Sequence, residues 1–251
     1  MLMLSESDVH VWSTHLDREP AQIDTFRQFL STSERQRAAK FINPTHSDRW
    51  IVARGYLRQI LSQYLDLTPA EIAFTYGEHG KPALADRQLE FNLSHSRDRA
   101  VYGISAKDPI GIDIEYIHPL PAGDLVDRFF SPTEQALFHS LPSDIQQAAF
   151  FHAWVQKEAY LKACGTGLHT PLERIEVSID PRTPAAIVAA PGTEIWQMWK
   201  LDISPEYASA IAIAGDSRSV REASACAERL CQRDFTIRTI ASPSQRDELR
   251  I

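Results

Sequence analysis

Trp154-Val155-Gln156-Lys157-Glu158-Ala159-Tyr160-Leu161-Lys162-Ala163-Cys164-Gly165-Thr166-Gly167 sets charged residues inside an apolar seam. On a helix of about 3.6 residues per turn, Phe150, Trp154, Leu161 and Gly165 share a stripe with Lys157, Glu158 and Lys162, because spacings of three and four return to one face. Two readings are open. Glu158 and Lys162 can form a solvated ion pair one turn apart, contributing roughly 0.2–0.5 kcal/mol. Alternatively the seam lines a cleft, with the carboxylate aimed at a metal and the lysines at an anion. A helix that ends on Gly165 and Gly167 favours the cleft, since glycine takes the left-handed closing geometry and lets a ligand approach the backbone.

Further carboxylates stand upstream, in Ile110-Gly111-Ile112-Asp113-Ile114-Glu115-Tyr116-Ile117. Its β-branched content predicts a strand, and a period of two puts Asp113 and Glu115 on one face and Ile112, Ile114 and Tyr116 on the other. Adjacent carboxylates on one face repel unless a positive group lies between them, and a divalent metal satisfies that need. The competing reading is a half-exposed strand facing water. Gly111 and the apolar flanks point instead to close approach of a neighbour and an inner strand. Between this strand and the charged helix, Ser131-Pro132-Thr133-Glu134 is a helix start, with Ser as N-cap and Glu as capping-box partner.

The first half reads as a strand over residues 8–16, helical text over 20–41 with a capping signal at Ser31-Thr32-Ser33-Glu34, and a helix over 46–65. Trp50, Ala53, Leu57, Ile60, Leu61 and Tyr64 form the apolar stripe of that helix, and Arg49, Arg54 and Arg58 read as its solvated side. A short strand at 72–76, the loop containing Gly80-Lys81-Pro82, and a hairpin-like unit over 89–105 follow. Ser94 and His95 lie at the mouth of that unit; alone, they read as a turn-capping hydroxyl and a structural imidazole. Later strands are expected at 173–180, 194–202 and 207–214, with a loop over 181–192. The expected fold class is α+β: an N-terminal half over 1–108, a C-terminal half carrying the metal site over 109–215, and a polar extension over 216–251, read as an extra helix or as partly disordered.

Composition narrows the function. A chain of 251 residues that is 43% hydrophobic and 24% charged is long enough for one large or two small packed domains. A formal charge of -7 argues against nucleic-acid binding. No apolar run is long enough for a bilayer, and Met1-Leu2-Met3-Leu4 followed by Ser5, Glu6 and Asp8 is not a secretory leader. Three cysteines in no paired pattern suit reduced thiols, so a cytoplasmic setting is expected, and Cys164 reads as packing because nothing pairs it with a base.

The ordered set Gly80-Lys81-Pro82, Phe91-Asn92-Leu93-Ser94-His95-Ser96, Asp113-x-Glu115, Phe129-Phe130-Ser131-x-x-Glu134 and Trp154-x-x-Lys157-Glu158-Ala159-x-x-Lys162-x-x-Gly165-x-Gly167 resembles the 4'-phosphopantetheinyl transferases of the long, surfactin-synthetase-activating type. The resemblance covers about residues 8–214. It implies a monomer built as a pseudo-twofold pair of α+β subdomains with coenzyme A in the cleft between them. It also implies transfer of the 4'-phosphopantetheine arm to a serine of an apo acyl or peptidyl carrier protein, with release of adenosine 3',5'-bisphosphate. Asp113, Glu115 and Glu158 match the family's Mg2+ ligands, with Mn2+ a possible substitute; Lys162 meets the pyrophosphate, and Glu158 is the expected base. Lys157 helps hold the phosphates. Arg49, Lys81 and His95 match positions that meet the 3'-phosphate, with Ser94 as hydrogen-bond donor. One departure is Glu34, which stands where a basic residue is expected, with Arg37 nearby. Two other functions stay open: a Mg2+-dependent phosphohydrolase of coenzyme A or a nucleotide, and a non-catalytic carrier-protein binding module.

Overall fold

The computed structural model describes residues 2–6, 8–86, 88–167 and 170–215, and the backbone of 236–239. The first half runs β1 (Val9–His15), α1 (Pro20–Phe29), α2 (Thr32–Ala38), α3 (Pro44–Leu61), β2 (Phe74–Tyr76), β3 (Pro82–Leu84), β4 (Glu90–Ser96) and β5 (Arg99–Ser105). The second half repeats that order as β6 (Ile110–Tyr116), α4 (Ala122–Phe129), α5 (Pro132–Ser140), α6 (Ser143–Cys164), β7 (Glu176–Val177), β8 (Ile187–Ala189), β9 (Trp196–Lys200) and β10 (Tyr207–Ala214). In each half the first strand pairs antiparallel with the last: Val9 faces Ser105 in one, and Ile110 faces Ile213 in the other. The last strand then pairs with the one before it, giving sheets ordered β1-β5-β4 and β6-β10-β9.

The two sheets meet through a dry layer in which Val9, Val11 and Val101 pack on Ile110, Ile112, Ile114 and Ile211. Corresponding strands face each other there, as a duplicated pair of α+β units requires. Outside that layer each half has its own core, α1 and α3 against β1 and β5 in the first, and α6 against β10 in the second. A hydrogen bond from the Tyr207 hydroxyl to Asp98, 2.6 Å, ties the second sheet to the β4–β5 turn.

The duplication extends to buried polar groups. Ser31 caps α2 and Glu34 closes the capping box; Ser131 and Glu134 do the same for α5. Each glutamate also meets a buried cation from the long helix that follows. Glu34 bonds Arg54 at 2.5 Å and Arg58 at 2.6 Å, and Arg58 donates onward to the Pro69 and Ile72 carbonyls. Glu134 bonds Lys157 at 2.7 Å, and Lys157 donates onward to the Leu172 and Ile175 carbonyls. Such a group is stable only because every donor and acceptor is matched.

Several sequence expectations change. Arg54 and Arg58 are 7% and 2% exposed, so that side of α3 is buried rather than solvated, because Glu34 draws both guanidinium groups inward. The helical text over 20–41 is two helices, parted where Leu30 turns extended ahead of the Ser31 cap. Residues 173–180 hold only a 3-10 turn at Leu172–Arg174 and the two-residue β7. The 181–192 loop contains β8, and α4 adds a helix that the sequence reading did not include, although Ala122, Leu125, Val126 and Phe129 recur at helical spacing. β6 is the edge of its hydrogen-bonded sheet, not an inner strand, although β4 covers it. In the extension, residues 236–239 form β11 (Thr236–Thr239), antiparallel to β1; the other residues from 216 onward lie outside the described set, Cys226 and Cys231 among them.

Candidate active site

The site lies where β4 of one half and β6 and α6 of the other converge. Gly111 permits the approach: a Cβ there would stand 2.0 Å from the Ala159 carbonyl oxygen and 2.3 Å from the Ala163 nitrogen. The strand face carrying Gly111, Asp113 and Glu115 is thereby set against the helix carrying Glu158 and Lys162. The helix then closes through Gly165 at φ 69°, in the left-handed geometry expected of it, and Gly167 follows at φ 56°.

Asp113 is 2% exposed; its Oδ1 accepts from Lys162 Nζ at 2.6 Å and from Ser94 Oγ at 2.8 Å, while its Oδ2 is buried without a hydrogen-bond partner. Lys162 therefore pairs with Asp113 across the cleft, so the solvated pair with Glu158 does not describe it. Glu115 accepts from Ser96 Oγ at 2.8 Å. Burial raises the Glu115 pKa; Ser96 opposes the rise and the Asp113 charge adds to it. Glu158 is likewise raised by burial first, then by Asp113, with Glu115 adding and Lys162 opposing. Both carboxylates feel the Asp113 charge, and Glu158 feels Glu115 as well.

Among the described residues, no three His, Cys, Asp or Glu side chains close into a cage able to hold an ion by themselves. The chemistry still fits a hard cation: a buried, partnerless carboxylate oxygen and two neighbours that resist ionisation leave a place for positive charge. Mg2+ commonly takes one or two carboxylates and fills its octahedron with water and substrate phosphate.

The residues matched to phosphates divide. Lys157 departs from the expectation: it is 0% exposed and gives its N–H groups to Glu134 and the carbonyls of Leu172 and Ile175, which leaves none for the cleft. Burial lowers its pKa, against the pull of Glu134. Ser94 donates its only proton to Asp113 and accepts from Lys162 at 2.9 Å, so it steadies the carboxylate instead of donating to a phosphate. Lys81 donates to the carbonyls of Ile110 and Ala163 at 3.0 and 3.2 Å, which leaves one of its three N–H groups to face the cleft. Burial lowers its pKa. Arg49 is half-buried with its fork on Asp17. His95 is open to solvent yet set close to Lys162; desolvation lowers its pKa, and the Lys162 charge lowers it further.

A cavity of about 230 Å³ lies over Glu158, Lys162, Lys81 and Gly165. A second, of about 400 Å³, lies over Arg37, Trp50, Arg54 and Tyr76, and both are bounded by Gly80 and Leu93. Together they form one groove from the carboxylates to a cationic and aromatic end. Arg37 sits 5.7 Å from the Trp50 ring centroid and lines the same cavity as Glu34. Burial works to raise the Glu34 pKa, and the bonds from Arg54, Ser31 and Arg58 hold it below its ordinary value.

Sequence reasoning assigned no role to Ser96 and Asn92, which act here through β6; their alternation with Ser94 along β4 was the available signal. Trp50 reads as core by its spacing, but it also lines the groove. Cys164 is a free thiol whose pKa burial raises, in keeping with packing. No helix of the described residues is long and apolar enough to cross a membrane.

Residues 109–212 match the profile of the 4'-phosphopantetheinyl transferase superfamily, and residues 16–106 match that of the 4'-phosphopantetheinyl transferase N-terminal domain. The 4'-phosphopantetheinyl transferase HetI of Nostoc sp. is 40% identical over 219 residues, spanning 85% of this chain and 91% of that protein. The 4'-phosphopantetheinyl transferase Sfp of Bacillus subtilis is 28% identical over 207 residues, spanning 81% and 92%. A solved holo-(acyl-carrier-protein) synthase from Bacillus anthracis, in complex with CoA (3',5'-ADP), matches 43% of this chain and 96% of that one at 24% identity, with a TM-score of 0.36, too slight a likeness to bear on this fold. With both halves matched by family profiles and a relative 40% identical over 91% of its length, the chain belongs to the 4'-phosphopantetheinyl transferase superfamily.

Proposed function

We propose that this enzyme transfers the 4'-phosphopantetheine group of coenzyme A to a serine of an apo carrier protein and releases adenosine 3',5'-bisphosphate. The observation that carries the reading is the pair of adjoining cavities: one between the halves, lined by Glu158, Lys162 and Lys81 with Asp113 bonded to Lys162 behind it, and one on the first half that carries Arg37 with Trp50. Its polarity suits a molecule with a pyrophosphate in the middle and a phosphorylated nucleoside at its end. Asp113, Glu115 and Glu158 would hold Mg2+ or Mn2+, which supplies positive charge against the pyrophosphate oxygens.

The carrier serine Oγ attacks the phosphorus that bears the pantetheine. The bond from that phosphorus to the bridging oxygen breaks, and the bridging oxygen leaves with the adenosine bisphosphate. Such transfers depend on alignment and on neutralising the oxygens more than on covalent help from the protein. Lys162 is placed to balance charge gathering on the leaving oxygen. Glu158 would take the serine proton through a water. By family resemblance His95, Arg49 and Lys81 would meet the 3'-phosphate, although Lys81 and His95 stand beside Lys162 and the fork of Arg49 is engaged by Asp17. Both walls of the groove come from one chain, which supports action as a monomer, and the unpaired pattern of cysteines supports a cytoplasmic setting.

The test is release of adenosine 3',5'-bisphosphate from coenzyme A with and without an apo carrier protein. Release that requires the carrier is expected. Equal release in its absence would identify a hydrolase and overturn the proposal.

A further inference from the structure

β4 and β6 belong to different sheets, and no ladder of backbone hydrogen bonds joins them. Side chains take its place. Asn92 Oδ1 accepts from the Ile112 N–H at 2.9 Å, Ser94 Oγ donates to Asp113, and Ser96 Oγ donates to Glu115 Oε2 while accepting from the Tyr116 N–H at 3.1 Å. Alternate residues of one strand thus read successive positions of the other, as the two-residue period of β4 allows. Beyond the ladder, Arg97 covers the Tyr116 ring at 3.5 Å and Asp98 accepts from Tyr207, so the strand ends are held as well.

Ser96 differs from its neighbours in the ladder. Its one hydroxyl engages both the backbone of β6 and the carboxylate that the same strand carries, so it fixes Glu115 relative to its own main chain. A glutamate has several rotatable bonds, and the Ser96 hydroxyl is its only hydrogen-bond donor among the contacts of the described residues. We propose that Ser96 is a positioning residue, a hydroxyl supplied by one half to set the cation-binding carboxylate of the other. The proposal rests on the reading of Asp113, Glu115 and Glu158 as the cation's ligands. Partners behind a metal ligand typically change metal affinity by about 10–100-fold when removed.

Free Mn2+ measured by electron paramagnetic resonance, during titration of the enzyme–coenzyme A complex, tests it. S96A is expected to weaken Mn2+ binding about tenfold, and S96T, which keeps the hydroxyl, to restore it. Coenzyme A affinity without metal is expected to be unchanged in both. On an E115Q background, S96A is expected to add nothing further. Equal Mn2+ affinity in S96A and the parent enzyme would overturn the role of Ser96, as would an undiminished loss on E115Q, which would mark a general effect on the fold. Failure of the parent complex to bind Mn2+ at all would instead remove the carboxylate assignment, and Ser96's role with it.

Discussion

Lys157 and Lys162 stand on one helix, yet burial divides their roles. Lys162 reaches the cleft and bonds Asp113, whereas Lys157 points inward onto Glu134 and two carbonyls. Their places in a helical stripe are legible in sequence; which side of the stripe meets α5 is not, because Glu134 and the 172–175 carbonyls arrive only through tertiary packing. K157M would leave Glu134 buried without its cation, a change that costs about 3–5 kcal/mol. We expect its melting temperature to fall by about 10 °C, with coenzyme A affinity of the folded protein unchanged. Normal stability with weakened coenzyme A binding would return Lys157 to the phosphates. His152 gives a second test. Burial, helped by Lys200, lowers its pKa from 6.5 to about 4. The unfolded imidazole therefore takes up a proton that the folded one refuses. The associated stability is present above pH 6.5 and is lost as pH falls from 6.5 toward about 4, on the order of 3 kcal/mol in all. Urea midpoints at pH 7 and pH 5 are expected to differ less in H152Q than in the parent; an identical difference would contradict this account.

Among the elements, α6 and β6 carry the candidate carboxylates, and both are plain in the sequence. The charged helix read through Trp154 and ending at Gly165 runs Ser143–Cys164, the strand read over 110–117 runs Ile110–Tyr116, and β10 has the bounds expected of it. Long periodic runs and β-branched alternation survive any tertiary context. Short elements do not, since the two residues of β7 are a strand only because β8 pairs with them. A capping box inside a helical run, as at Ser31, marks a real break only when the preceding residue turns extended, which Leu30 does at ψ 142°. How closely α6 and β6 approach is set by Gly111, and G111A tests it. The new Cβ would meet Ala159 and Ala163 backbone atoms at 2.0 and 2.3 Å, so the helix must shift. A displacement near 1 Å at the reacting groups lowers rate by about a hundredfold. We expect kcat/KM to fall by about that factor while the circular dichroism spectrum is retained. Parental activity in G111A would show that the α6–β6 spacing does not set the site.

At the scale of the whole molecule, the duplication is evident in structure and faint in sequence. Glu34 with Arg58 and Glu134 with Lys157 occupy matching places and make matching bonds, but different residues supply the cation, so the letters do not repeat where the geometry does. The groove between the halves is legible only through family resemblance, because its walls join Lys81 and Leu93 to Glu158 and Lys162, residues that no local pattern connects. The central claim is that these residues transfer the phosphopantetheine arm. Its most direct test is the intact mass of an apo carrier protein incubated with coenzyme A, Mg2+ and either the parent enzyme or E158Q. The account predicts a gain of one phosphopantetheine unit with the parent enzyme, none when Mg2+ is withheld, and a loss of at least about a hundredfold in rate with E158Q. An unmodified carrier with the parent enzyme, or a gain that E158Q matches in rate, would contradict it.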